Sequence, residues 1–417
     1  MTYIKPEATS NQSSFIKAVL EQGFDAAQAE NWTEVSNWLK QLPQSTTVDR
    51  GKQLVLEADD WQTAFDLALK MLTESDFQHK WEIAKLFPLF GVRIIPILGR
   101  LVLDEALEPE TRWFICQILG NFPHQEVVLI LVQLLRQTTD RELISVAGKT
   151  LTKVGDRAID ALIDLLSQPE YRLLAVQSLY YIRTAETITP LLDVATDSDP
   201  ELRAIAVKAL GSFHDRRVPP MLLDALQDLA SKVRLEAAIA LGFRPELCEE
   251  LNLVTHLQPL LKDLNLEVCR HGAVSLGRMQ QEAATTALYE VLQEDNTPIS
   301  LKSEIVKALG WSEITSAVDY LQQALATANE FITQEIIVAL GRISTSELKS
   351  QAAKVLIDFW HQNERLYSTQ TKQILANSLG ELGDRSGQEI LEQLALDGDR
   401  KVKLYALAAL KKLVASS

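Results

Sequence analysis

Cysteine and long apolar runs are scarce in this sequence, and each shortage excludes a class of protein. Three cysteines among 417 residues, none of them in a close pair, cannot build a disulfide framework. No run approaches the roughly 18 apolar residues that a membrane-spanning helix needs, and the polar first residues lack the apolar core of a signal peptide. We therefore expect a cytoplasmic protein without a membrane span.

The sequence also has fewer basic than acidic residues. The chain has 41 Lys and Arg residues against 56 Asp and Glu residues, which gives a formal net charge of −15. Proteins that bind nucleic acid neutralise phosphates with Lys and Arg, so this charge argues against a nucleic-acid partner. It favours neutral or basic partners instead.

A short phrase recurs along the chain and is clearest at residues 199–211, which read Asp-Pro-Glu-Leu-Arg-Ala-Ile-Ala-Val-Lys-Ala-Leu-Gly. We take the leucine that precedes the glycine in this copy, and the equivalent leucine in the other copies, as the anchor. The anchors are Leu86, Leu119, Leu151, Leu179, Leu210, Leu241, Leu276, Leu309, Leu340, Leu379 and Leu410. They lie 28 to 39 residues apart, a period that indicates stacked units sharing one continuous core.

Each copy of the phrase predicts two helices. An apolar stretch at helical spacing, such as residues 159–166, precedes the helix that carries the anchor. Asp199 and Pro200 supply an N-cap and a first-turn proline for the anchor helix. The glycine after the anchor suits a helix end or a close helix crossing. Because sustained strand alternation is absent, we predict an all-α fold.

Residues 1–74 do not carry the phrase clearly. Residues 26–42 have the spacing of an amphipathic helix, and four of the seven tryptophans fall in the first fifth of the chain. This region is either an aromatic-rich helical cap or a docking module for a partner, since an end repeat needs a special face. We predict a flexible tail over residues 1–14.

Seven residues before the anchor, the helix carries a mostly basic column. Its basic members are Arg112, Arg172, Arg203, Arg234, Lys302, Lys372 and Lys403. Cationic side chains on the core side of a helix must be paired, and Asp140, Asp199 and Asp399 stand at helix starts nearby. We interpret this basic column as a structural ladder between neighbouring repeats, with ligand binding as the alternative.

The positions five and two residues before the anchor form a semi-apolar stripe on the opposite face, at about 100° per residue. The stripe contains Phe114, Val146, Leu174, Ile205, Glu236, Ile239, His271, Val274, Glu304, Glu335, Val338 and Tyr405. An outward apolar stripe edged with glutamate suggests a groove for a partner. The alternative is contact with the adjacent helices.

The recurring phrase resembles the HEAT-like repeat of the phycobilisome-lyase type over residues 75–417. The resemblance implies a right-handed superhelical α-solenoid of about eleven HEAT-like helix pairs, with residues 1–74 as an N-terminal tail and helical cap. Within the family, the chain is similar to cyanobacterial HEAT-repeat proteins, among them one that associates with the iron–sulfur assembly protein IscA. The E/F-type lyase subunits, which help to attach a bilin to a phycocyanin cysteine, belong to the same family.

The sequence contains none of the common motifs of catalysis or nucleotide binding. HEAT-repeat hydroxylases hold iron with His-Glu pairs, and none of the six histidines here is followed by glutamate. No P-loop or Gly-rich dinucleotide fingerprint occurs. Cys269 replaces the ladder cation two residues before His271; it is either a packing variation or a thiol that contacts a carried ligand.

These observations favour a non-catalytic protein-binding scaffold or assembly factor that grips a protein partner on its concave face. The resemblance suggests iron–sulfur protein or phycobiliprotein maturation. The alternative is an E/F-type phycobilin lyase subunit or chaperone. We expect no cofactor of its own, although the partner could carry an iron–sulfur cluster or a bilin. The sequence leaves the oligomeric state open.

Overall fold

A computed structural model describes residues 9–42, 58–363 and 368–415. All regular structure in these ranges is helical, in agreement with the predicted fold class. Contacts divide the chain into two compact units, Met1–Leu191 and Leu192–Ser417.

The helices of the first unit alternate between a first and a second member of each pair. They are α1 (Thr9–Gln28), α2 (Trp32–Leu39), α3 (Ala58–Glu74), α4 (Phe77–Ala84), α5 (Ile95–Leu103), α6 (Pro109–Leu119), α7 (Gln125–Gln137), α8 (Arg141–Val154), α9 (Ile159–Leu166) and α10 (Arg172–Ile182). Short 3-10 helices cover Phe87–Phe90, Val92–Ile94, Gly155–Ala158 and Ala185–Thr187. Helix α11 (Ile188–Val194) contains the boundary between the units.

The second unit continues the alternation. Its helices are α12 (Pro200–Leu210), α13 (Val218–Ala225), α14 (Ser231–Gly242), α15 (Leu253–Leu257), α16 (Leu266–Arg278), α17 (Glu282–Gln293), α18 (Ile299–Ser312), α19 (Thr315–Leu325), α20 (Glu330–Gly341), α21 (Ser346–Asn363), α22 (Thr369–Leu382), α23 (Gln388–Ala395) and α24 (Arg400–Ala415). Its 3-10 helices are Pro245–Leu247, Gln258–Lys262 and Arg385–Gly387.

The even-numbered helices from α4 onward correspond to the predicted anchor helices. Within each unit, every anchor helix packs on the next one, from α4 to α10 in the first unit and from α12 to α24 in the second. The anchors Leu119, Leu210 and Leu379 are buried. Helix α12 begins as predicted, because Asp199 accepts a hydrogen bond from the Glu201 amide and Pro200 occupies the first turn.

The anchor helices approach one another closely through small residues. In the second unit, the glycine after one anchor lies against the small residue before the next anchor. The pairs are Gly211–Ala240, Gly242–Ser275, Gly277–Ala308, Gly310–Ala339, Gly341–Ser378 and Gly380–Ala409. The glycines therefore mark close helix crossings, one of the two roles predicted for them.

The first predicted anchor is wrong by one residue. Helix α4 ends at Ala84, and Leu86 is only half-buried. Phe87 is fully buried, and Lys80, seven residues before it, is also buried. Phe87 therefore takes the place of the anchor in this repeat, and Lys80 takes the place of the ladder cation.

The N-terminal region also departs from prediction. The expected helix over residues 26–42 is two helices, because Glu30 has a positive φ of 54° and Asn31 then caps α2. Helix α1 starts at Thr9, so residues 9–14 of the predicted tail are helical. The remaining residues of that tail, 1–8, lie outside the described residues.

Candidate protein-binding surface

The basic column makes specific contacts in the second unit. Arg203 donates two hydrogen bonds to the Asp228 carboxylate, at 2.8 and 2.7 Å. Arg234 donates two to Asp263, at 2.6 and 2.7 Å, and its Nη1 also donates to the Asp228 and Leu229 carbonyls. Each arginine thus joins its own helix to the loop that starts the next anchor helix. Lys372 contacts Asp397 in the same way, at 2.8 Å.

The carboxylates that accept these bonds are not the predicted ones. Asp140, Asp199 and Asp399 instead cap helices, each accepting hydrogen bonds from backbone amides of the first turn. The acceptors of the ladder, Asp228, Asp263 and Asp397, belong to the loops that lead into α14, α16 and α24. The prediction that Asp140, Asp199 and Asp399 pair with the basic column was wrong, because each of these carboxylates already accepts hydrogen bonds from the amides of its own helix.

The electrostatics of the ladder favour ionised carboxylates. Burial of Asp263 raises the pKa of its carboxyl group. Hydrogen bonds from Arg234 and the Asn265 amide, together with the charge of Arg234, lower this pKa by more than burial raises it. The pKa of Asp263 therefore lies below its ordinary value. Asp228 behaves in the same way with Arg203 and the Ala230 amide. The pKa values of both arginines are raised, chiefly by hydrogen bonds from their guanidinium groups to these carboxylates.

The other members of the column vary. Arg112 is buried, and its Nε donates to the Val102 carbonyl at 2.8 Å. Arg172, Lys302 and Lys403 are half-buried. Cys269, which replaces the arginine in α16, donates to the Asp263 carbonyl at 3.1 Å.

The three cysteines are packed thiols. Burial raises the pKa of Cys116 to about 12, and burial is also the main cause of the raised pKa values of Cys248 and Cys269. A raised pKa disfavours the nucleophilic thiolate, which argues against a reactive role for Cys269. The described residues contain no cluster of three or more potential metal ligands.

The predicted stripe is only partly accessible. Phe114 and Val146 are buried, so they are interior residues and not a surface for a partner. Half-buried members of the stripe are Leu174, Ile205, Glu236, Ile239, His271, Val274, Glu304, Glu335 and Val338, and Tyr405 is exposed. The close approach of the anchor helices explains the difference, because each helix covers part of its neighbour's stripe.

The glutamates of the stripe pair with cations of the preceding anchor helix or of their own helix. Lys208 lies 3.3 Å from Glu236. Lys307 lies 4.0 Å from Glu335 of the next anchor helix, and it also lies 3.0 Å from Glu304 of its own helix. The residue two before one anchor therefore meets the residue five before the next. Such partly exposed pairs stabilise little individually, but they leave the stripe close to neutral.

An aromatic cluster in the first unit is more exposed than the stripe. Phe77 is 52% exposed and Trp81 is 45% exposed. The ring of Phe77 lies 5.2 Å from the buried ring of Phe114 and 6.4 Å from the ring of Trp81. The ring of Trp113 lies 5.1 Å from that of Phe114. Three aromatic side chains are thus arranged around a buried phenylalanine at the surface.

A groove of about 320 Å³ adjoins this cluster. We call it the aromatic groove; it is lined by Phe77, Pro109, Glu110, Trp113, Asp140, Glu142 and Leu143. Glu110 also receives a hydrogen bond from Lys80 at 2.9 Å. The lining residues are apolar or acidic, and none of them is basic.

Sequence reasoning missed this groove, although the signal was present. With Phe87 as the anchor, Trp81 and Trp113 both lie six residues before an anchor, at equivalent positions of consecutive repeats. Placing the anchor at Leu86 concealed this match.

None of the described helices is long and apolar enough to cross a membrane.

Residues 100–179 and 159–242 match the family model described as HEAT repeats. The curated proteins include no match to the chain.

Solved structures provide further comparisons. The chain is similar to an engineered protein, with 19% identity over 91% of this chain and 98% of that one, and a TM-score of 0.41. It is similar to the complex of CpcE and CpcF of phycocyanin lyase from Nostoc sp. PCC7120, with 20% identity over 55% and 88% and a TM-score of 0.33. For importin beta, the identity is 13% over 87% of this chain and 54% of that one, with a TM-score of 0.52. This last likeness shows the fold alone, which is an all-helical HEAT-repeat solenoid with HEAT repeats matched over residues 100–242.

Proposed function

We propose that this protein is a non-catalytic scaffold or assembly factor that binds a protein partner on the face of its anchor helices. The observation that carries the proposal is the aromatic cluster of Phe77 and Trp81, which are exposed, and Trp113, which is half-buried. Clustered apolar side chains in contact with water are costly and commonly mark binding sites. Aromatic residues also supply much of the binding energy at protein interfaces.

The aromatic groove suggests the chemistry of the partner. Its apolar walls suit an apolar side chain, and the carboxylates of Glu142 and Asp140 suit a neighbouring Lys or Arg. A cation can also lie over a tryptophan face. We therefore expect a partner segment with apolar and basic residues, in keeping with the net charge of −15. In the second unit, the half-buried stripe residues Ile239, Val274 and Val338 remain candidates for additional contact.

Replacing Phe77 and Trp81 together by alanine is expected to reduce capture of the partner about tenfold or more, because it removes the two most exposed side chains of the aromatic cluster. The measurement is an affinity pull-down from the source cells with quantitative mass spectrometry. Tyr181→Ala is the matched control, since Tyr181 is an exposed aromatic residue of the same unit outside the groove. Recovery of no protein partner, or equal recovery by the double variant and wild type, would contradict the proposal.

The repeat phrase suggests which process the scaffold serves. Its resemblance to phycobilisome-lyase HEAT-like repeats supports a role in iron–sulfur protein or phycobiliprotein maturation. Iron in the purified complex, carried by the partner and unaffected by Cys269→Ser, would support the iron–sulfur role.

The alternative is an E/F-type phycobilin lyase subunit or chaperone. Co-expression with a phycobiliprotein and a bilin tests it, with absorbance of covalently bound chromophore as the measurement. If the chain gives no gain in attached chromophore, this alternative is wrong and the scaffold proposal is unaffected.

A further inference from the structure

Helix α24 has apolar residues on two sides. Only one of these sides is buried against other helices in the described part of the chain. Helix α24 packs against α22 and α23. Its buried side consists of Val402, Ala406, Ala409 and Leu413. We define the outer face of α24 as the surface formed by Arg400, Lys401, Leu404, Leu407, Lys411 and Val414. At 100° per residue, these six side chains span an arc of about 140°.

The outer face is strongly apolar at its centre. Leu404 is 58% exposed, Leu407 is 54% exposed and Val414 is 78% exposed. They lie three and seven residues apart, so they form a continuous line along the helix. The exposed residues of the neighbouring α23 include Glu389 and Glu392. The apolar surface therefore has the width of one helix and not of a helix pair.

The cations of this face lack partners. Arg400, Lys401 and Lys411 make no ion pair within the described part of the chain, whereas Lys412 on the side of the same helix pairs with Glu381 at 2.6 Å. Helix α24 has no acidic residue in its first turn. Cations near a helix N-terminus face the positive end of the helix dipole, which is unfavourable.

Comparison with other repeats shows that this charge is unusual. Nine residues before the anchor, other copies carry glutamate, namely Glu110, Glu142, Glu170, Glu201 and Glu267. Helix α24 has Lys401 at that position. Helix α14 also has a lysine there, Lys232, but it pairs with Glu201. In a chain with a net charge of −15, the outer face is thus a local exception that lacks its counter-charge.

We propose that the outer face of α24 docks an acidic amphipathic helix of a partner protein. The apolar residues of that helix would cover Leu404, Leu407 and Val414, and its carboxylates would pair with Lys401 and Lys411. An anionic membrane has the same charge complementarity, but the net charge of −15 opposes the approach of the whole chain to such a surface. This proposal does not depend on the aromatic groove.

A labelled peptide of about 18 residues, long enough to form a helix, tests this proposal. Its leucines lie on one face and its glutamates flank them, and the peptide with lysine in place of glutamate is the control. We expect saturable binding of the acidic peptide to the full chain by fluorescence anisotropy, weakened by salt. The double variant K401E/K411E should weaken it about tenfold, and L404S/L407S should weaken it similarly.

The matched control for charge is Lys354→Glu, because Lys354 is exposed on α21 in the same unit; it should bind as the wild type does. The four positions substituted in the double variants are exposed, and circular dichroism should show the helix content of the wild type for every variant. No saturable binding, equal binding of the lysine peptide, or binding unchanged in both double variants would overturn the proposal. Two other outcomes would also overturn the proposal. The chain could bind phosphatidylserine vesicles, or associate with itself, instead of binding the peptide, and lose that binding in K401E/K411E.

Discussion

Replacing Arg234 by alanine is expected to lower the free energy of unfolding by about 3 kcal/mol, which is typical of breaking a buried ion pair from one side. Arg234 donates to both oxygens of Asp263 and to two carbonyls. The Asp263 side chain is largely buried, so its charge would be left without a cationic partner, with the Asn265 amide as its remaining hydrogen-bond donor. The contact joins α14 to the loop before α16, and the loss should therefore be local to these helices.

The effect should depend on pH. The folded-state pKa of Asp263 lies below its ordinary value. The stability that it contributes is therefore present above the unfolded pKa of about 3.9 and is lost as pH falls through the lower folded pKa. The difference between wild type and Arg234→Ala should be full at neutral pH and shrink in acid.

Urea unfolding at neutral and acidic pH measures this effect, with hydrogen exchange of α14 and α16 to locate it, because repeat arrays need not unfold in one step. Arg217→Ala is the control. Arg217 also pairs with an aspartate, Asp215, at 2.9 Å, but about half of its side chain is exposed, so we expect a much smaller loss of stability than for Arg234→Ala. If the two substitutions have equal effects, the ladder does not stabilise the repeats.

The fold was predictable because its determinants are local and repeated. Asp199 and Pro200 mark a helix start through capping, which depends only on neighbouring residues. A period near 31 residues requires stacking, since one helix pair cannot bury its apolar face alone. The helix class and the positions of most anchors followed from these two facts.

Contacts between repeats were harder to predict. The phrase around residue 199 contains two aspartates, Asp197 and Asp199, and either could accept a bond from a ladder arginine. The choice depends on the offset between successive helices, which the residue pattern does not contain. The same offset buries Val146 and half-buries Glu236, so a helical wheel of one isolated helix overestimates their exposure.

The aromatic groove was missed for a related reason. Residues 81–87 offer Leu86 and Phe87 as neighbouring apolar candidates for the anchor, and no glycine follows either of them. The glycine was therefore unavailable to set the register. The burial of both Lys80 and Phe87 identifies Phe87 as the anchor of this repeat. With Phe87 as the anchor, Trp81 aligns with Trp113.

Replacing Gly277 by alanine is expected to lower the free energy of unfolding by up to about 2 kcal/mol. Alanine should stabilise a helix by about 1 kcal/mol relative to glycine, so a net loss requires a larger steric penalty. A Cβ atom at Gly277 would lie 2.7 Å from the Ala308 carbonyl oxygen and 2.9 Å from its Cα. Both are backbone atoms of α18, so relief requires α16 and α18 to move apart, and overpacking of this kind costs about 1–3 kcal/mol.

The control for this substitution is Gly398→Ala, because a Cβ there would meet no atom within 4 Å; it should be neutral. Urea unfolding compares the two variants, and hydrogen exchange should show loss of protection in α16 and α18 for Gly277→Ala alone. A stabilised Gly277→Ala variant would mean that helix propensity dominates and that the anchor helices tolerate a wider separation. In that case, the small residues paired along the second unit would not set the spacing of its repeats, and the partial covering of the stripe would lose its explanation.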